Sequence, residues 1–259
     1  MPEGDTVWRV ARSLDRALSG RALTRTDFRV PPLATVDLSG RTVTSTLARG
    51  KHLLTRIGDD HTPHTHTLHT HLKMEGAWHL YAPGAPWKRP AHEARVVLEV
   101  AERVAVGFAL GVVELLAGSD EENAVGHLGP DLLGPDWDAD LAVANLLTGL
   151  ERPVGEALLD QRNLAGIGNL YRSELCFLAG VPPAAPVAEV PDLPRLVRRA
   201  KALLEANKER VEQSTTGDLR SGRRTYVYRQ RACRRCGSRI EVGADDRGRA
   251  TYRCPSCQP

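Results

Sequence analysis

The sequence predicts an α+β protein whose N-terminal part is rich in short strands and whose C-terminal part is helical and ends in a metal-binding hairpin. Three observations carry this. Short β-patterned runs fill residues 22–116, the texture turns helical after Gly118, and two CxxC pairs lie close to the C-terminus.

The elements follow in order. Apolar side chains at Val7, Val10, Ala11, Leu14, Ala17 and Leu18 have helical spacing, and Gly20 stops that helix. β-rich runs at 22–30, 41–47, 52–57, 67–72, 77–81, 94–100, 104–110 and 112–116 are separated by Gly, Pro and Asp-Asp breaks. Many short strands so spaced predict a sandwich or a barrel. Residues 119–123 are acidic and 129–138 are rich in Gly, Pro and Asp, which places a hinge there. Helices are expected at 139–149, 153–160, 168–179 and 192–212, with a proline-rich connector at 181–194. The polar, Gly/Arg-rich stretch 213–225 reads as a mobile loop, and β character returns from Thr225. The expected domains are 1–118, a linker at 119–135, 136–224 and 225–259.

Composition bounds the function. A chain of 259 residues with 41% hydrophobic and 26% charged residues is ordinary for a soluble globular protein. No run approaches the ~18 apolar residues of a membrane span, and no signal-peptide pattern opens the chain. Five cysteines, four of them in CxxC pairs, point to metal binding in a reducing compartment, so a cytoplasmic protein with no membrane partner is expected. Residues 195–259 hold 17 Lys/Arg against 7 Asp/Glu, leaving 18 against 25 for residues 1–194 out of totals of 35 and 32. That basic end has the electrostatic footprint of a polyanion binder, although charge alone fits a solvated face equally well.

Cys233 and Cys236, then Cys254 and Cys257 after seventeen intervening residues, match the C-x2-C…C-x2-C pattern. Four thiolates close a tetrahedral site with no open position, so one structural zinc ion is expected on a β-hairpin finger. Cys176, in an apolar helix, reads as core. Asp160–Glu174 joins two helices through Gly166 and Gly168, glycines that permit a close backbone approach, with Asn169 where a helix begins. As a bare pattern this fits a helix cap or an anion held at a helix N-terminus. Beside a basic finger, a phosphate is the better reading.

Several segments together resemble the formamidopyrimidine-DNA glycosylase/endonuclease VIII family. They are Met1-Pro2-Glu3-Gly4, Arg49-Gly50-Lys51, the run from His71 to Gly76, Leu128-Gly129-Pro130-Asp131, Gly166-Ile167-Gly168-Asn169 and the cysteine finger. They stand in the family's order and span essentially the whole chain. The Pro-Glu-Gly start is similar to the endonuclease VIII branch, which prefers oxidised pyrimidines. The resemblance implies an N-terminal β-sandwich with flanking helices, a C-terminal helix–two-turn–helix domain with a zinc finger, and damaged double-stranded DNA held between them by a monomer.

It also implies roles. Pro2, exposed once Met1 is removed, is the amine nucleophile of a glycosylase/AP lyase with β,δ-elimination, and an α-amino nitrogen titrating near ~8 keeps a useful unprotonated fraction. Glu3 is the general acid/base, and Lys51 holds phosphate and assists the chemistry. His71, Asn169 and Arg249 grip phosphates, Arg249 also lying close to the cleavage chemistry. Met74, beside Lys73 on an exposed tip, fills the space left by a flipped nucleotide. The chain departs from the family at Thr6, where a second acid is expected, unless Asp5 serves instead. The cluster His61, His64, His66, His69 and His71 raises a second metal, against which its alternation of faces argues. An AP-site nicking enzyme with weak glycosylase activity and a non-enzymatic zinc-finger DNA-binding protein are the rival readings.

Overall fold

The structure, a computed structural model, describes residues 2–59 and 61–259. The chain divides into two compact units, one formed by Pro2 and Thr6–His127, the other by Glu3–Asp5 and Leu128–Pro259. Met1, whose removal is expected from the resemblance, lies outside the described residues.

The first unit opens with helix α1 (Gly4–Leu18), whose apolar stripe Val7, Ala11, Leu14, Ala17 and Leu18 is buried. Nine strands follow: β1 (Arg21–Ala22), β2 (Arg25–Phe28), β3 (Thr42–Arg49), β4 (His52–Gly58), β5 (His66–His71), β6 (Ala77–Tyr81), β7 (Ala94–Val100), β8 (Arg103–Phe108) and β9 (Val112–Ala117). They form antiparallel sheets in the orders β1-β3-β4-β5-β9 and β2-β7-β8-β6. One apolar cluster joins α1 to both sheets through Leu14, Val43, Leu53, Leu68, Val96 and Leu98. Periodicity left sandwich and barrel open; two sheets sharing a core make it a sandwich.

The stretch 119–135, read as a linker, is partly structured. Helix α2 (Glu121–Val125) sits in it, and the division between the units falls after His127. Glu121 explains why: its carboxylate accepts two hydrogen bonds from Arg56 on β4, at 3.0 and 2.6 Å, and one from the Thr67 hydroxyl on β5 at 2.6 Å. Those bonds hold the acidic segment on the sheet.

The second unit contains α3 (Ala139–Leu147), α4 (Val154–Leu159), α5 (Asn169–Ala179), α6 (Leu193–Asn207) and the hairpin β10 (Glu241–Ala244) and β11 (Ala250–Arg253). Asp138 and Asp192 cap α3 and α6 by accepting the N–H groups of Leu141 and Arg195, and Gly180 at φ 76° ends α5. The cysteine finger shares this unit. Phe177 of α5 packs with Val227, Cys233, Ile240 and Cys254. The loop 213–225 carries no regular structure, yet Asn207 bonds the N–H and carbonyl of Ser214 at 2.8 and 2.9 Å, and the Thr215 hydroxyl reaches the buried carboxylate of Glu174. Its base is therefore tied down. Among the described residues, no helix is long and apolar enough to cross a membrane.

Leu14→Ala should cost about 2–5 kcal/mol of stability, because Leu14 is 2% exposed in the shared core. Leu147→Ala, at a position 49% exposed, should stay within about 0.5 kcal/mol. Urea unfolding of both variants checks the contrast, and equal losses would contradict the packing described.

Candidate functional site

Two sets of residues stand out, one in each unit. In the second, the segment after Pro2 runs against the turn that enters α5. Glu3 is buried, and its carboxylate accepts the N–H groups of Gly168 and Leu170, both at 2.7 Å, and of Tyr171 at 3.4 Å. Gly4 donates its N–H to the Gly166 carbonyl at 2.9 Å. The close approach that the glycines promised is to the chain's own beginning. A Cβ at Gly168 would stand 2.5 Å from Cδ of Glu3, and Gly166 has φ +116°, a conformation costly for other residues. The anion expected at this helix N-terminus is thus the Glu3 carboxylate, which suits the free N–H groups and the helix dipole. Phosphate does not occupy those donors.

Asp5, raised as a replacement for the missing acid at Thr6, is buried. It accepts from the Tyr171 hydroxyl at 2.6 Å and from Gln213 Nε2 at 2.7 and 2.9 Å. Burial first, and then the Asp5 charge, push the Tyr171 phenol far above its ordinary range, so it stays a hydrogen-bond donor.

Asn169 is the first helical residue of α5, with Gly168 in the cap position. Its side chain donates to the Ala250 carbonyl on β11 at 2.9 Å and accepts from Arg172. Arg172 is fully buried and pairs with Asp245 at 2.7 Å, and Asp245 also accepts from Arg249 Nε at 2.8 Å. Burial pushes the Asp245 carboxyl up, but bonds from the Arg249 N–H and from the Arg172 and Arg249 guanidinium groups outweigh it and leave it below its ordinary value. Asn169 and Arg249, eighty positions apart in the chain, therefore belong to one hydrogen-bonded network. The sequence offered no sign of Arg172, whose role depends on burial.

The four cysteine sulfurs lie within 4.8 Å of one another, with Cys233 to Cys257 at 4.0 Å and Cys236 to Cys254 at 3.4 Å. A tetrahedral ion about 2.3 Å from each thiolate needs sulfur pairs about 3.8 Å apart, so the set fits. Cys176 is buried in the helical core, where burial pushes its thiol up to about 12 and makes it inert.

In the first unit, Gly50 and Lys51 form a two-residue hairpin closed by the Arg49–His52 pair, and Gly50 takes φ 57° at the first turn position. Lys51 is half-buried. On the connection between β5 and β6, Lys73, Met74 and Glu75 form an exposed tip, and Met74 is 61% exposed. His71 Nδ1 accepts the N–H of Lys73 at 2.9 Å, so a neutral His71 carries its proton on Nε2, as a donor. Burial first, then the charges of Lys73 and Lys51, hold His71 down to about 4, so it is neutral at physiological pH.

The histidines do not converge on an ion; among the described residues the four cysteines are the one metal-compatible group. His69 bonds Glu114 at 2.9 Å and His52 at 2.8 Å, whereas His64 turns to Thr67 and Glu121.

Residues 1–109 match the formamidopyrimidine-DNA glycosylase N-terminal domain, and residues 128–218 match the formamidopyrimidine-DNA glycosylase H2TH domain. The chain is 55% identical over 266 residues to a Streptomyces coelicolor protein named "Probable endonuclease 8 2", covering 100% of this chain and 94% of that protein. It is 49% identical to a Mycolicibacterium smegmatis protein named "DNA-(apurinic or apyrimidinic site) lyase Nei2", with 100% and 99% covered. Among solved structures, Lactococcus lactis Fpg in complex with abasic-site DNA aligns with a TM-score of 0.82 over 99% of each chain at 24% identity. At that identity the likeness is one of fold.

Gly168→Ala should push Glu3 off its three donors, since the new methyl would lie 2.5 Å from Cδ of Glu3. A stability loss of about 1–3 kcal/mol in thermal unfolding is expected. A melting curve indistinguishable from that of the parent would show that the contact is not constraining.

Proposed function

The chain belongs to the formamidopyrimidine-DNA glycosylase/endonuclease VIII family of DNA glycosylase/AP lyases, and from that premise we propose that it excises oxidised pyrimidines from duplex DNA through an imine formed on Pro2. The observation that carries the reading is the docking of Glu3. The residue joined to Pro2 by a single peptide bond is held by three backbone N–H groups, which fixes the path of the chain at the nucleophile.

With Met1 removed, the Pro2 nitrogen is a secondary amine. It attacks C1′ of the damaged nucleotide as the base departs, and the iminium that forms acidifies the C2′–H bond. Loss of that proton expels the 3′ phosphate; a second elimination expels the 5′ phosphate. Glu3 is the group assigned to protonate the opening sugar, and Lys51 to steady the phosphate. His71 presents a neutral Nε2–H to a second phosphate oxygen, and Arg249 and Asn169 hold the backbone from the finger side. Such contacts position the enzyme without reading sequence. Met74, unbranched and exposed, wedges into the stack that the flipped nucleotide leaves. Zinc is the ion assigned to the four cysteines, with a structural role only, at the base of a hairpin that carries Arg249. The expected setting is cytoplasmic, with a monomer acting on DNA.

A second reading, an AP lyase with weak glycosylase activity, is favoured by Thr6 in place of an acid and by the name of the 49% identical Mycolicibacterium smegmatis relative, an apurinic or apyrimidinic site lyase. Rates on an oxidised-pyrimidine duplex and on a pre-formed abasic duplex separate the two.

Borohydride should trap the protein on an oxidised-pyrimidine duplex, and Pro2→Gly should reduce trapping by at least ~100-fold while DNA binding persists. Undiminished trapping by a protein with a blocked N-terminus would remove Pro2 from the role. Cys236→Ser and Cys254→Ser should each lose the zinc and with it damaged-DNA binding. Elemental analysis checks this, and one retained zinc per chain in both variants would refute the ligand set.

A further inference from the structure

Thr6 leaves this chain without an acid where its family has one, and Asp5, one position earlier, is buried and bonded in a way the sequence did not foreshadow. Tyr171 addresses both carboxylates of the N-terminal segment. Its backbone N–H reaches Glu3 at 3.4 Å and its hydroxyl reaches Asp5 at 2.6 Å. Tyr171 is fully buried on α5, so neither bond competes with water. Gln213, at the base of the 213–225 loop, donates to both oxygens of Asp5 at 2.7 and 2.9 Å. The next residue, Ser214, is clamped by Asn207, so the Gln213 amide is presented from an anchored point.

We propose that Asp5 is a positioning residue: with Tyr171 and Gln213 it locks the segment that carries Pro2 and Glu3, and it ties that segment to the base of the 213–225 loop. Together with the Glu3 carboxylate and the Gly4–Gly166 bond, it fixes three consecutive residues at three points. A nucleophile joined directly to such a segment loses little freedom on reaching its target, and a displacement of about 1 Å is enough to cost roughly 100-fold in rate. Asp5 does this by accepting hydrogen bonds. In that role its oxygens meet the Tyr171 phenol and the Gln213 amide.

The proposal rests on Pro2 being the nucleophile, so the measurements are chosen to separate the two. Single-turnover borohydride trapping on an abasic duplex is compared with equilibrium binding to a duplex that carries a tetrahydrofuran abasic analogue. For Asp5→Ala, trapping should fall by roughly 100-fold while binding changes by less than about three-fold. Asp5→Asn should recover most of the rate, because an amide oxygen still accepts from Tyr171 and the Gln213 amide can turn over to meet the new NH2. Tyr171→Phe keeps the ring and removes one bond, so it should show a smaller rate loss with a parental fold; it serves as the test if Asp5→Ala does not fold. Wild-type trapping rates in folded Asp5→Ala or Tyr171→Phe would overturn the proposal. An Asp5→Asn enzyme as slow as Asp5→Ala would overturn it too, since the carboxylate would then be acting chemically. Failure of the wild-type protein to trap at all would instead count against the Pro2 reading.

Discussion

The carboxylate of Glu3 lies on the backbone donors that open α5, and the arrangement of the second unit's candidate site residues follows from that contact. A helix N-terminus presents N–H groups with no partner inside the helix, and its dipole favours negative charge. A buried carboxylate has the opposite need, since leaving it without donors would cost several kcal/mol. Each requirement satisfies the other. The contact depends on Gly4 and Gly168, which carry no side chains where two stretches of backbone meet, and on Gly166 at φ +116°; a Cβ at Gly4 would stand 2.8 Å from Gly166 Cα. A side chain at Gly4 or Gly168 would push Glu3 away from its donors.

From that first turn, α5 extends the same logic toward the finger. Arg172 lies one turn on and is buried against Asp245, Asn169 and the Ala250 carbonyl. Glu174 accepts from the N–H groups of Tyr226, Val227 and Tyr228, all between 2.8 and 2.9 Å. Buried ions are tolerated here because each has several donors or acceptors around it. Gln258 closes the far end, donating to the Val181 carbonyl at 2.7 Å while accepting from the Cys254 N–H. The position of Arg249 is therefore set by the cysteine cluster on one side and by α5 on the other.

The β unit answers a different constraint. Its strands alternate, so His69 and His71 share a face with His52 across the β4–β5 ladder, whereas the connecting turns carry Lys51 and the Met74 tip. The β3–β4 hairpin holds Lys51 at a strand end, and the connection from β5 to β6, which passes from one sheet to the other, carries the exposed Met74. Burial keeps His71 neutral, and one local bond from the Lys73 N–H to Nδ1 leaves its proton on Nε2.

Much of this was written in local pattern. The apolar stripe of α1, the strand runs at 77–81 and 94–100, the helix after Gly168 and the four cysteines were legible because each depends on spacing along the chain: 3.6 for a helix, 2 for a strand, two residues between paired thiolates. The exposed Met74 tip followed from its charged neighbours. What occupies the α5 N-terminus was not legible, because an aspartate, a phosphate or Glu3 would meet the same N–H groups equally well. The roles of Asp5, Arg172 and Glu174 were equally hidden. Charged side chains read as solvated until the partners that permit their burial are brought in from 70 or more positions away, or, for Glu174, from the loop 41–54 positions on. Local periodicity determined the elements; only tertiary structure decided which charges are buried, since burial depends on donors the sequence does not place side by side.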